Sequence, residues 1–134
     1  MSIKRSVSFQ NVQVKAVKET DASGQVIYKV VSAQPEPVVI TAPDTIINYQ
    51  LVDTDASILF TGITITPSST QFSKPTISTD GRNLTLSDIN TQTGTFSRQF
   101  EFNGQPEVRT EVAAKLEEGG KDIENRPPPP PAAP

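Results

Sequence analysis

The apolar residues of this chain come in short runs that alternate with polar ones, each run closed by a turn signal. Only residues 110–118 (TEVAAKLEE) also fit one face of a helix, through Val112, Ala113 and Leu116 with Gly119 as a C-cap. A chain with a two-residue period and frequent breaks must satisfy its backbone hydrogen bonds between strands. The expected fold is therefore all-β: a single antiparallel β-sandwich of eight or nine short strands, with a flexible Pro-rich C-terminal tail. Division falls at residues 1–118 for the sandwich and 119–134 for a Gly-Gly hinge, a docked or cleavable peptide and the proline run.

The strands can be placed one by one. In SVSFQNVQVKA, Val7 and Phe9 lie on one parity and Val12, Val14 and Ala16 on the other, which predicts a bulge at Gln10-Asn11. VIYKVV follows after the polar turn ETDASGQ and completes a first hairpin. Pro35, Pro37 and Pro43 bracket Val38–Ile40, and a residue that cannot donate to a ladder places this strand at an edge. TIINYQL reads as half-buried through Ile47, Tyr49 and Leu51. Ile58 and Phe60 switch parity to Ile63 and Ile65 across Gly62, a second bulge or bend. Asp80-Gly81 and Asn103-Gly104 are hairpin turns. Val108, Thr110 and Val112 also fit a strand, so the end of this region stays open between helix and strand.

At 134 residues, with 34% apolar, there is room for one core. Cys, His and Trp are absent, which removes disulfides, thiol nucleophiles, imidazole or thiolate metal sites and Ser-His-Asp triads. No metal or cofactor is expected. The net charge is −3 and no run of Lys or Arg reaches three, so nucleic acid is not an expected partner. No window approaches the roughly 18 apolar residues that span a bilayer, so the expectation is a cytoplasmic protein without a membrane partner.

Residues 35–37 (PEP), 43–51 (PDTIINYQL) and 87–90 (SDIN) resemble the small bacterial DP-EP family over about residues 30–103, and the ENRPPP of the tail is in keeping with it. Gln34 stands where the family's name implies Asp. The resemblance implies a β-sandwich and a self-cleaving endopeptidase whose C-terminal segment is cut at an aspartate and stays associated.

The residues themselves allow that chemistry. The chain ends in GGKDIENRPPPPPAAP, in which Asp122 is the only aspartate. An aspartyl carboxyl can attack its own main-chain carbonyl through a five-membered ring, and intramolecular orientation makes such attack effective. Gly119 and Gly120 would let residues 121–126 fold back into a groove, exposing the Asp122–Ile123 bond to cleavage. Asn125 is a rival cleavage point, because its amide can cyclise in the same way. A second carboxyl must manage protons, and Asp53, Asp55 and Asp88 are the candidates; each equally suits an ordinary turn. Arg98 shares a face with Phe96, Phe100 and Phe102. A guanidinium there clamps Asp122, stabilises an oxyanion, or packs its stem while its head reaches solvent.

An activated Asp122 acyl group could also be captured by Lys29, Lys74, Lys115 or Lys121. The expected partners are the chain's own C-terminal peptide and, through exchange of that peptide, a second copy. The alternative function is a non-catalytic assembly module with edge strands and a polyproline tail as its binding elements.

Overall fold

The computed structural model describes residues 8–109 and 122–128, and in them ten strands form two sheets with no helix. The segment 110–118, the Gly119-Gly120 pair and the end of the proline run lie outside the described residues. In chain order the strands are β1 (Ser8–Thr20), β2 (Val26–Gln34), β3 (Val38–Ile40), β4 (Thr45–Leu51), β5 (Phe60–Thr66), β6 (Thr76–Ile77), β7 (Asn83–Asp88), β8 (Gly94–Phe102), β9 (Gln105–Pro106) and β10 (Ile123–Asn125).

One sheet has the order β2-β1-β4-β7-β6; the other has the order β3-β10-β8-β5, with β9 paired to β8. Both are mixed. Most neighbours are antiparallel, but β1 runs parallel to β4 and β3 parallel to β10. The first parallel pair follows from the path of the chain: β2 returns along the outer side of β1, β3 leaves for the other sheet, and β4 comes back on the inner side of β1. The expected all-β sandwich is thus present, its two sheets mostly antiparallel with one parallel pair in each.

The sheets pack through the alternate residues that face inward. Val12, Val14, Ile47, Tyr49, Leu84 and Leu86 from the first meet Phe60, Phe100, Phe102 and Ile123 from the second, all buried. Tyr49 stands edge-on to Phe100 at 4.9 Å, and Phe60 stacks on Phe102 at 5.5 Å. Such pairs add about 0.5–1.5 kcal/mol each beyond the area they bury.

The bulge expected at Gln10-Asn11 is absent. β1 keeps register with β4 from Ser8↔Thr45 to Val14↔Leu51, so the alternation runs on and leaves Phe9 66% exposed. Seven continuous ladder pairs outweigh the burial of one phenyl ring. The irregularity lies instead at Lys15/Ala16 against β2. The Gly62 bulge is present, Phe60 pairing with Phe102 and Gly62 with Glu101. The hairpin at Asn103-Gly104 has positive φ at both residues, 50° and 81°, as a tight two-residue turn requires.

β3 is an edge strand, as its prolines predict, and among the described residues it joins its sheet through β10 alone. Ile123 pairs with Val38 on one side and Phe96 on the other. The tail thus contributes an interior strand, not an appendage, and this places Asp122 at the edge of the core.

Candidate functional site

The parity of β8 builds the site. Phe96, Arg98, Phe100 and Phe102 alternate inward, and all four are buried. The Arg98 guanidinium lies over the Phe100 ring at 4.5 Å and the Tyr49 ring at 5.7 Å. Its side chain is 3% exposed, so the reading in which its head reaches solvent does not hold. A charge so placed needs carboxylates, and two supply them: Glu36 Oε1 lies 3.6 Å away and Glu107 Oε1 lies 3.7 Å away. Glu107 is set by the return from β9, its Oε1 accepting the Phe100 N–H at 2.8 Å.

Asp122, nearly fully buried, enters this cluster from the start of β10. Its Oδ2 accepts the main-chain N–H of Arg98 at 2.8 Å and Nη2 of Arg109 at 3.0 Å. Arg109 also donates to the Arg98 carbonyl and approaches Glu107 at 3.8 Å. The main chain of Asp122 is fixed at both ends: its N–H donates to the Phe96 carbonyl and its carbonyl accepts the Val38 N–H, each at 2.9 Å. The carbonyl preceding Ile123 thus accepts a main-chain donor through the β3–β10 ladder.

Three carboxyl groups, Glu36, Glu107 and Asp122, surround two guanidiniums. One added proton balances the cluster. Glu36 suits it: loss of solvent and the neighbouring Asp122 carboxyl raise its pKa, against the attraction of Arg98. Desolvation also raises Glu107, opposed by the Phe100 N–H and the two arginines. The Tyr49 hydroxyl, beside Arg98 without a well-formed hydrogen bond, is pushed up to about 12 by burial. A cavity of about 390 Å³ opens on the cluster and is lined by Lys29, Val30, Glu36, Arg98, Glu107 and Arg109 among others.

A second buried group holds the other end of β10. Asp88, fully buried on β7, accepts from Asn90 N–H at 2.9 Å and from Asn125 Nδ2 at 3.0 Å through Oδ1. Asn90, at φ 51°, spans to the carbonyls of Ile40 and Ala42, each at 3.2 Å. Asp88 Oδ2, Asn90 Oδ1 and Asn125 Oδ1 are buried without a hydrogen-bond partner. Desolvation raises Asp88, partly offset by the bonds from Asn125 and Asn90.

The structure therefore brings Asp122 to Arg98, by the main-chain N–H of Arg98 and not its guanidinium, and brings Asp88 to Asn125 rather than to Asp122. Asp53 sits on an exposed turn after β4 at φ 45°; no hydrogen bond or ion pair links it to Asp122 or Arg98 among the described residues. Asp55 caps its own turn through the Ser57 N–H and hydroxyl. Lys29 pairs with Glu19 at the cavity rim, Lys74 is exposed, and Lys115 and Lys121 lie outside the described residues. Sequence reasoning missed Glu36, Glu107 and Arg109. The signal available was a buried Arg98 demanding carboxylates, together with a glutamate between two prolines.

No metal-binding group of acidic residues occurs among the described residues, and no helix among them is long and apolar enough to cross a membrane. In comparison with known proteins, a model of the DP-EP family matches residues 10–114. No curated protein matches the chain.

Proposed function

Because the chain belongs to the DP-EP family, we propose that it is a self-cleaving, aspartic-type endopeptidase that cuts its own backbone between Asp122 and Ile123. The observation that carries this reading is the Asp122 peptide unit itself. Its carboxyl is held by Arg98 N–H and Arg109, its carbonyl oxygen faces the Val38 N–H, and a second carboxyl, Glu36, sits on the Arg98 guanidinium of the same cluster with its pKa raised in part by Asp122.

The step is an intramolecular acyl transfer. The Asp122 carboxylate attacks its own main-chain carbonyl carbon, forming a C–O bond and a tetrahedral oxyanion that the Val38 N–H stabilises. The C–N bond to Ile123 breaks, and the leaving nitrogen takes the Glu36 proton. The five-membered anhydride is opened by a water from the adjoining cavity, whose proton returns to the Glu36 carboxylate. The sum is one water added across one peptide bond. The raised Glu36 keeps its acid form to higher pH than an ordinary carboxyl, which is the state the first step uses. The cut segment stays in place, because Ile123 and Asn125 are fully buried within the sheet.

Intact-mass time courses from pH 4 to 8 on the wild type, Asp122→Ala and Glu36→Gln test this. The expected result is a 1–122 fragment from the wild type, none from Asp122→Ala, and a rate roughly 10²–10⁴ lower in Glu36→Gln, the usual span for loss of a general acid. Cleavage of Asp122→Ala at the wild-type rate overturns it.

A further inference from the structure

We propose that the channel occupied by β10 is a sequence-reading peptide site that, once the chain is nicked, exchanges its peptide with the same segment of a second copy. The inference rests on the proposed cleavage for its natural trigger, but its geometry is independent of it. β10 is held between a parallel neighbour and an antiparallel one, so an incoming extended peptide finds main-chain partners on both sides. Arg126 N–H extends the ladder to the Ile40 carbonyl at 2.8 Å.

Two positions read sequence. Ile123 fills a fully buried place in the core, next to Val38 and Phe96. Two residues on, Asn125 is also fully buried, and its amide donates to Asp88. The Asp88 carboxyl holds its own turn through the Asn90 N–H and is also a recognition group: buried on β7 of the opposite sheet, it reaches across to the tail, with its second oxygen still unpartnered. Glu124, between these two, lies half-buried and pairs with Arg126, the residue just after β10, at 2.7 Å. The ligand class is an extended Ile-x-Asn peptide, and the cut would add a free ammonium on Ile123 beside the new α-carboxylate of Asp122. Every contact made by β10 is available to the identical segment of a second copy.

Full-length chains labelled with ¹⁵N are mixed with unlabelled chains after nicking and followed by native mass spectrometry. Where the chain has not cut itself, a protease site engineered within residues 110–121 supplies the nick. Hybrid complexes of heavy domain and light peptide are expected to grow toward the statistical mixture. Parental pairs alone after several days overturn the exchange. Absence of a 1–122 fragment before mixing counts against self-cleavage only, since the engineered nick still reports on exchange.

In the same complexes, a synthetic Ile-Glu-Asn-Arg-Pro-Pro peptide is expected to displace the bound segment. The peptide with Asn125→Ala should need roughly ten- to a hundredfold more, the span of one lost hydrogen bond to a charged group. An Asp88→Asn domain should shift its preference toward the peptide with Asn125→Asp, because donor and acceptor are exchanged. Equal displacement by the Asn and Ala peptides overturns the readout by Asp88.

Discussion

Replacing Ile123 by alanine tests whether three residues of the tail are part of the core. Ile123 is fully buried on an interior strand and pairs with Val38 and Phe96. The change removes three carbons, about 2.4 kcal/mol at roughly 0.8 kcal/mol per buried CH₂, and the cavity left behind brings the loss to about 3–4 kcal/mol. For a domain of this size that lowers the unfolding midpoint by roughly 10–15 °C. The control is Phe9→Ala, at a ring 66% exposed, where the expected loss stays below about 1 kcal/mol. Both changes are made in chains that carry Asp122→Ala, so that all remain uncut, and thermal unfolding is followed by far-ultraviolet circular dichroism. An Ile123→Ala midpoint within a few degrees of Phe9→Ala refutes the placement of β10 in the sheet.

Two further outcomes follow from the structure. Glu36, Asp88 and Glu107 are all raised, chiefly by desolvation, so each binds its proton more tightly folded than unfolded. Their stabilisation is complete below an ordinary carboxyl value of about 4 and is lost as pH climbs through the folded values. Asp21, Asp55 and Asp80, lowered first by hydrogen bonds from serine hydroxyls, act in the opposite sense and lose stability as pH falls. The urea midpoint should therefore rise from pH 8 toward mild acid and fall below it, with a flatter alkaline limb in Asp88→Asn; a midpoint independent of pH refutes this. Gly81 has φ 72°, and a Cβ there would meet Leu59 Cβ at 2.9 Å, whereas Gly24 at φ 87° has open space. Gly81→Ala should cost roughly 2–4 kcal/mol and Gly24→Ala about 1 kcal/mol by denaturant titration, and equal losses contradict the close packing at Gly81.

Much of the sandwich is legible because its strands obey a two-residue period over enough residues to show it. TIINYQL alternates inward through Ile47, Tyr49 and Leu51 as read, and the Asn103-Gly104 turn closes the hairpin that its dipeptide demands. Arg98 betrays its burial by interrupting an apolar face. The parallel neighbours were hidden, because alternation reports which face a residue takes and not which strand lies beside it. Phe9 misled for a related reason: local parity asked for a bulge, but the unbroken ladder to β4 decided the register. β10 is too short to carry a period; with one large apolar residue, Ile123, it is defined by its two neighbours. Glu36 was masked by its flanking prolines, which read as punctuation. Glu107 and Arg109 lie beside a segment open between helix and strand.

The self-cleavage account turns on one peptide bond, and the intact mass of the purified full-length chain, incubated in mild acid and sampled under denaturing and native conditions, reports on it directly. The account predicts a domain ending at Asp122 and a 12-residue partner beginning at Ile123, separate when denatured and together when native. Full-length mass throughout contradicts the account, as does a domain ending at Asn125.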